Sequence, residues 1–308
     1  MAVKHLVWSQ DLKKEEYQEI LRRFHHFVDH GISPDLARGK VVATLFFQPS
    51  TRTMNSFQSG MVKAGGGWIG VTGEQGLSME KGETLEETIR EYSGFADCIV
   101  LRHPDDDSAP RAAAAASVPF INGGSGSKEH ASGTALMLCS LEHLMKKPIA
   151  GTKVGIYGTP EINRASKALV PILGMFGVEL YVDDLGHFPF PKEVEEAANK
   201  NGLKSLKYDK LENFIGEVDV LLVTRGLQKG IVQLPKEKED EILKLYRPIS
   251  KSDVGKMKKD AVLYMIKPRI FEIDKEVDND PRAKSLVDPE PFSESALALM
   301  TYLLDIKV

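Results

Sequence analysis

Eight short runs of β-branched and aliphatic residues, at 41–47, 68–71, 98–101, 118–121, 154–157, 178–182, 220–223 and 261–266, punctuate the chain. Between them lie segments whose apolar residues recur at helical spacing, among them 11–30, 53–63, 85–95, 134–145, 164–176, 192–199 and 294–304. Strand and helix taking turns predicts an α/β protein, because parallel strands need long crossovers and a helix is the usual one. The strand runs are apolar throughout rather than alternating, the pattern of strands covered on both faces. The fold class expected is therefore two domains, each a parallel sheet flanked by helices.

Two domains follow from length, since 308 residues exceed what one core fills efficiently, at about 150 residues per domain. The helical stretch 134–145 is broken by Lys146-Lys147-Pro148 and Ala150-Gly151-Thr152, which marks a boundary near 146–152. Lys and Arg number 40 against 44 Asp and Glu, a net charge of −4, without the basic excess that binds nucleic acid. The uncharged stretches, such as 168–178 and the longer 112–127, fall short of the ~20 residues of a membrane span. The first residues lack the apolar core of a signal peptide, and Cys98 and Cys139 lack CxxC spacing. Free buried thiols and a cytoplasmic location are expected.

The strongest chemical signal is Ser50-Thr51-Arg52-Thr53, directly after the first strand and opening a helix. Backbone N–H groups at a helix start favour an anion, and three hydroxyls with a guanidinium are donors of the kind a phosphate takes. An ordinary helix cap is the competing explanation, but a cap needs one hydroxyl rather than three and an Arg. Further basic residues follow strand ends: Arg102 after 98–101, His130 after the Gly-rich 122–126 loop, Arg225 after 220–223 and Lys267 after 261–266. Ligands of parallel sheets bind beyond the carboxyl ends of strands, so the set implies a small, multiply anionic ligand. Gly155-Ile156-Tyr157-Gly158 lacks the third glycine of a dinucleotide fingerprint, and no nucleotide phosphate loop, zinc-protease or nucleophile-elbow motif is present. His25 and His26 lack carboxylates at ligand spacing and Asp105-Asp106-Asp107 reads as a solvated loop, so neither metal nor cofactor is expected.

The chain resembles the aspartate/ornithine carbamoyltransferase family nearly end to end. The likeness is carried by Ala43-Thr44-Leu45-Phe46-Phe47-Gln48-Pro49-Ser50-Thr51-Arg52-Thr53, by Lys81-Gly82-Glu83-Thr84-Leu85, by Val100-Leu101-Arg102-His103-Pro104 and by Val118-Pro119-Phe120-Ile121-Asn122-Gly123-Gly124. The resemblance implies a carbamoyl phosphate-binding domain at 1–147, onto which a terminal helix at 293–308 packs back, and an amino-acid-binding domain at 148–292. It implies a homotrimer with active sites between neighbours, and it leaves regulatory subunits open. Ser50, Thr51, Arg52 and Thr53 match the family's phosphate loop. Arg102 and His130 match its contacts to the carbamoyl phosphate oxygens, and Lys81 a lysine donated by the adjacent subunit. Arg164 and Arg225 match the pair that holds the carboxylates of aspartate, which favours the aspartate branch.

By the same resemblance the catalytic donors are Arg52, Thr53, Arg102 and His130, acting on carbamoyl phosphate while an acidic amino acid is the acceptor. The expected reaction is carbamoyl transfer to L-aspartate, a step of pyrimidine biosynthesis. Transfer to a different acidic amine is one alternative, and a non-catalytic homologue that binds phosphate ligands or a partner subunit is another. Departures from the family pattern cluster at two places. His130 is followed by Ala131-Ser132-Gly133 where the family has Pro-Thr-Gln, which removes a side-chain amide at 133. His-Pro-Leu-Pro-Arg is replaced by Tyr264-Met265-Ile266-Lys267-Pro268-Arg269, and Lys267 is expected to project an added positive charge into the acceptor pocket. Leu227 stands where a Gln is usual, with Gln228 next. A cis bond before Pro268 is typical of the family.

Overall fold

In the computed structural model, which describes residues 3–73, 78–227 and 233–308, the chain divides into two compact units. One comprises residues 1–140 with 291–308 and the other residues 141–290. The division thus falls a few residues before the Lys-Lys-Pro break, within a helix rather than after it.

The first unit begins with α1 (Lys14–His30), β1 (Val41–Phe46), α2 (Arg52–Lys63), β2 (Gly67–Thr72) and α3 (Leu85–Phe95). It continues through β3 (Cys98–His103), α4 (Ser108–Ala115) and β4 (Phe120–Ser125) into α5 (Ala131–Met145). Its four strands are parallel in the order β2-β1-β3-β4. The chain leaves β1 toward one edge and returns for β3 on the other side. Their carboxyl ends therefore flank a topological switch point, where parallel sheets form ligand crevices. β1 and β3 are buried almost throughout because Leu45, Ile99 and Leu101 pack with Ile89, Ala112 and Phe120 in one cluster. Capping by Thr84, whose side chain accepts from the Glu87 N–H at 3.2 Å while its own N–H is met by the Glu87 carboxylate at 2.8 Å, fixes the start of α3.

The second unit runs β5 (Lys153–Tyr157), α6 (Arg164–Met175), β6 (Glu179–Asp183), α7 (Lys192–Lys200) and β7 (Ser205–Tyr208). Then come α8 (Leu211–Phe214), β8 (Val220–Val223), α9 (Lys236–Leu245), α10 (Lys251–Lys256), β9 (Val262–Met265) and α11 (Lys284–Val287). Five parallel strands lie in the order β7-β6-β5-β8-β9, so the switch point falls between β5 and β8. Phe188, Phe214, Leu221, Val223, Ile242 and Leu263 share its core.

The last helix, α12 (Phe292–Leu303), belongs to the first unit and packs on α1 and α2. Ala296, Leu297, Leu299, Met300 and Leu303 are buried. Gly60 of α2 permits the approach: a Cβ there would stand 2.6 Å from the Ser293 carbonyl oxygen. Ser59 and Ser293 hydroxyls meet at 2.7 Å, and Lys63 pairs with Glu294 at 3.0 Å. Such an exposed pair contributes at most about 1 kcal/mol, whereas each buried Leu or Met contributes roughly 1.5–3 kcal/mol. Packing, then, holds α12 in place.

Candidate functional site

In the first unit the sheet register places the phosphate-loop candidates beside Arg102. Phe46 of β1 lies opposite Arg102 of β3, and the Phe47 N–H donates to the Arg102 carbonyl at 2.8 Å. The chain then turns through Ser50 and Thr51 into α2, whose first residue is Arg52. Thr51 already has helical backbone angles, and its side chain makes no cap hydrogen bond. The helix start thus keeps its N–H donors unspent on a side-chain cap. Thr53 is buried in the first turn, and its carbonyl accepts from Ser56 Oγ at 2.8 Å.

Arg102 supplies the electrostatic half of the site. Burial first, and the Arg52 charge second, push its guanidinium down from the ordinary value to about 10. Its Nε is buried without a hydrogen-bond partner among the described residues. A cation that is desolvated, repelled by a like charge and short of an acceptor is stabilised by a bound anion. The Arg52 charge opposes that of Arg102 near the uncapped start of α2.

His130 follows β4, the strand next to β3, and closes a turn in which the Gly126 N–H donates to the His103 carbonyl at 3.0 Å. Its Nδ1 accepts from the Gly133 N–H at 3.3 Å, so the ring caps α5. That bond places the proton of the neutral ring on Nε2. Gly133 acquires a physical reason here. A Cβ at 133 would stand 2.8 Å from His130 Cδ2 and Cγ and 2.9 Å from Nδ1, closer than real contacts come. The missing amide and the folded-back imidazole are one feature. Glu129, which sequence reasoning missed, supports it: the carboxylate accepts from the His130 N–H at 2.8 Å and the Ser9 N–H at 3.3 Å. Burial raises its pKa from the ordinary carboxylate value, against the lowering by those hydrogen bonds. The only signal was an acidic residue just before the histidine, common on surfaces.

In the second unit Arg164 opens α6, directly after the cap Asn163, whose side chain accepts from the Ser166 N–H at 2.9 Å. Arg225 follows β8. The loops after β5 and β8 are tied together at the switch point: Thr159 N–H donates to Thr224 Oγ1 at 2.8 Å, and Thr159 Oγ1 donates to the Arg225 carbonyl at 2.9 Å. Both arginine side chains are largely buried. Lys267, expected to add a charge to the acceptor pocket, directs its ammonium to Glu290 at 3.1 Å, with the Lys267–Pro268 bond cis. Lys81 ends a short 3-10 turn and is exposed. Gln228 lies outside the described residues. Ser50, Thr51, Arg52 and Thr53 therefore follow β1 and His130 follows β4, whereas Arg102, expected after a strand, lies within the last residues of β3 between them; Arg164, Arg225 and Lys267 follow three adjacent strands of the other sheet.

Residues 4–140 match the family model for the carbamoyl-P binding domain of aspartate/ornithine carbamoyltransferases. The aspartate carbamoyltransferase catalytic subunit of Methanocaldococcus jannaschii is 36% identical over 286 residues, 92% of each chain. The chain belongs to the aspartate/ornithine carbamoyltransferase family. The catalytic subunit of Clostridium botulinum is 32% identical over 308 residues, 98% of each chain. A solved structure of the M. jannaschii aspartate transcarbamoylase catalytic subunit superposes with a TM-score of 0.84 at 34% identity, covering 98% of both chains. The Trypanosoma cruzi aspartate transcarbamoylase in complex with N-(phosphonacetyl)-L-aspartic acid shares the fold at 24% identity, with a TM-score of 0.85 over 99% of this chain and 96% of that one. In this chain the family's phosphate-loop motif stands at an uncapped helix start.

Proposed function

We propose that the chain transfers the carbamoyl group of carbamoyl phosphate to the amine of L-aspartate, giving N-carbamoyl-L-aspartate and phosphate. The observation that carries this reading is the half-buried Arg102, its Nε without a partner among the described residues, opposed by the Arg52 charge near the uncapped start of α2. The phosphate is received by the N–H groups of that helix start with Ser50, Thr51, Arg52 and Thr53. Arg102, Thr53 and His130 Nε2–H serve the carbamoyl oxygen, where negative charge builds as the uncharged amine attacks the carbamoyl carbon. The new C–N bond forms, the bond from carbon to phosphate oxygen breaks, and the amine proton passes to the departing phosphate. Arg164 and Arg225 hold the two acceptor carboxylates. Much of the acceleration comes from holding two mutually repelling anions together.

In this reading the chain works as a cytoplasmic homotrimer, Lys81 reaching a neighbour's site, and its product feeds pyrimidine biosynthesis. The test is a continuous assay of phosphate release from carbamoyl phosphate with a panel of amino acids. Release that depends on aspartate is expected. Release only with another amine would move the acceptor assignment, and no release with any amine would remove the activity.

A further inference from the structure

Three basic residues stand beyond the carboxyl ends of adjacent strands in the five-stranded sheet: Arg164 after β5, Arg225 after β8 and Lys267 after β9. β8 and β9 are in register, Val223 opposite Met265, and the Ile266 N–H donates to the Val223 carbonyl at 3.2 Å. Arg225 and Lys267 therefore leave neighbouring strands two residues beyond one paired level. Two guanidinium groups match an acceptor with two carboxylates, whereas an added ammonium at the same edge would favour ligands with a third anionic group.

Glu290 accounts for that third charge. Its Oε1 accepts from Lys267 Nζ at 3.1 Å and its Oε2 from Tyr264 Oη at 3.2 Å. Its side chain is 3% exposed, against 21% for Lys267. Tyr264 belongs to β9 itself, so the carboxylate is gripped by the strand and by the residue just past it. A carboxylate so deeply buried is tolerated because it is paired, and the pairing removes the ammonium's net charge from the sheet edge.

We propose that Glu290 is a specificity-determining residue: by neutralising Lys267 it sets the acceptor subsite for acids with two carboxylates and against those with three, a role that rests on the acceptor assignment proposed above. The test compares calorimetric affinities for succinate and tricarballylate, in the presence of phosphate, between the unsubstituted chain, Glu290→Gln and the double variant Glu290→Gln/Lys267→Met. Glu290→Gln is expected to shift the preference toward tricarballylate by about tenfold, and the double variant to restore the original ratio. An unchanged ratio in Glu290→Gln, or a shift that persists without the lysine, would overturn the role. Should the single variant not fold, the double variant still decides, because with neither charge present a changed ratio contradicts neutralisation. Binding is read without turnover, so a chain inactive on aspartate would fail the proposed reaction while leaving this comparison to stand or fall separately.

Discussion

Arg102 is held against both burial and a like charge, which lowers its pKa to about 10 and makes its charged form a cost to the folded chain at neutral pH. Arg102→Met should therefore melt no lower than the unsubstituted chain in calorimetry, while its affinity for phosphate falls about 100-fold, as losing charged hydrogen bonds of 1.5–3 kcal/mol each implies. A large loss of stability with phosphate binding intact would contradict the anion seat. Gly133 offers a sharper residue-scale test, because restoring the family's glutamine should harm the protein. Its Cβ would displace the His130 ring that caps α5, so Gly133→Gln should lower kcat by roughly 10²–10³-fold, the loss typical of one transition-state donor. Steady-state rates with carbamoyl phosphate and aspartate would show it, and a rise in kcat would refute the dependence. None of this was legible at position 133 in the sequence, where the glycine read as a lost hydrogen bond; the clash that requires it exists only once the ring has folded back.

At the scale of elements, the strands most legible in sequence were those buried on both faces, such as β1 and β8, because continuous apolar runs need no alternation to be recognised. β7 escaped notice for the converse reason. Ser205-Leu206-Lys207-Tyr208 pairs only with β6 at the sheet edge and is partly exposed, so little apolar patterning marks it. α9 is similar: Ile242 is its buried residue amid charges, and its period is hard to see. The helix start at Ser50-Thr51-Arg52-Thr53 was legible to within one residue, since motif and strand end coincide there. The packing of α12 on α2 is testable at Gly60. Gly60→Ala forces a methyl to 2.6 Å from the Ser293 carbonyl and should destabilise the first unit by about 1–3 kcal/mol, read as a lower urea midpoint. An unchanged midpoint would mean that α12 is free to shift away.

Over the whole molecule, one architectural device is used twice. Each unit is a parallel sheet with a switch point, and at each switch point basic residues gather at or beyond the strand ends. The first collects the helix start, Arg52 and Arg102; the second collects Arg164 and Arg225. That division suits the proposed reaction between two anions. The general plan was readable because basic residues recurred at strand ends. The fate of Lys267 was not, since its partner Glu290 lies far along the chain and nothing in local spacing connects them. The central claim, that an anion sits on the start of α2, is tested most directly by calorimetric titration of N-(phosphonacetyl)-L-aspartate into the unsubstituted chain and Arg52→Ala. Tight binding that weakens by about 100-fold or more in the variant is predicted, as expected for loss of a charged anchor. Equal affinity in the two proteins would contradict the claim.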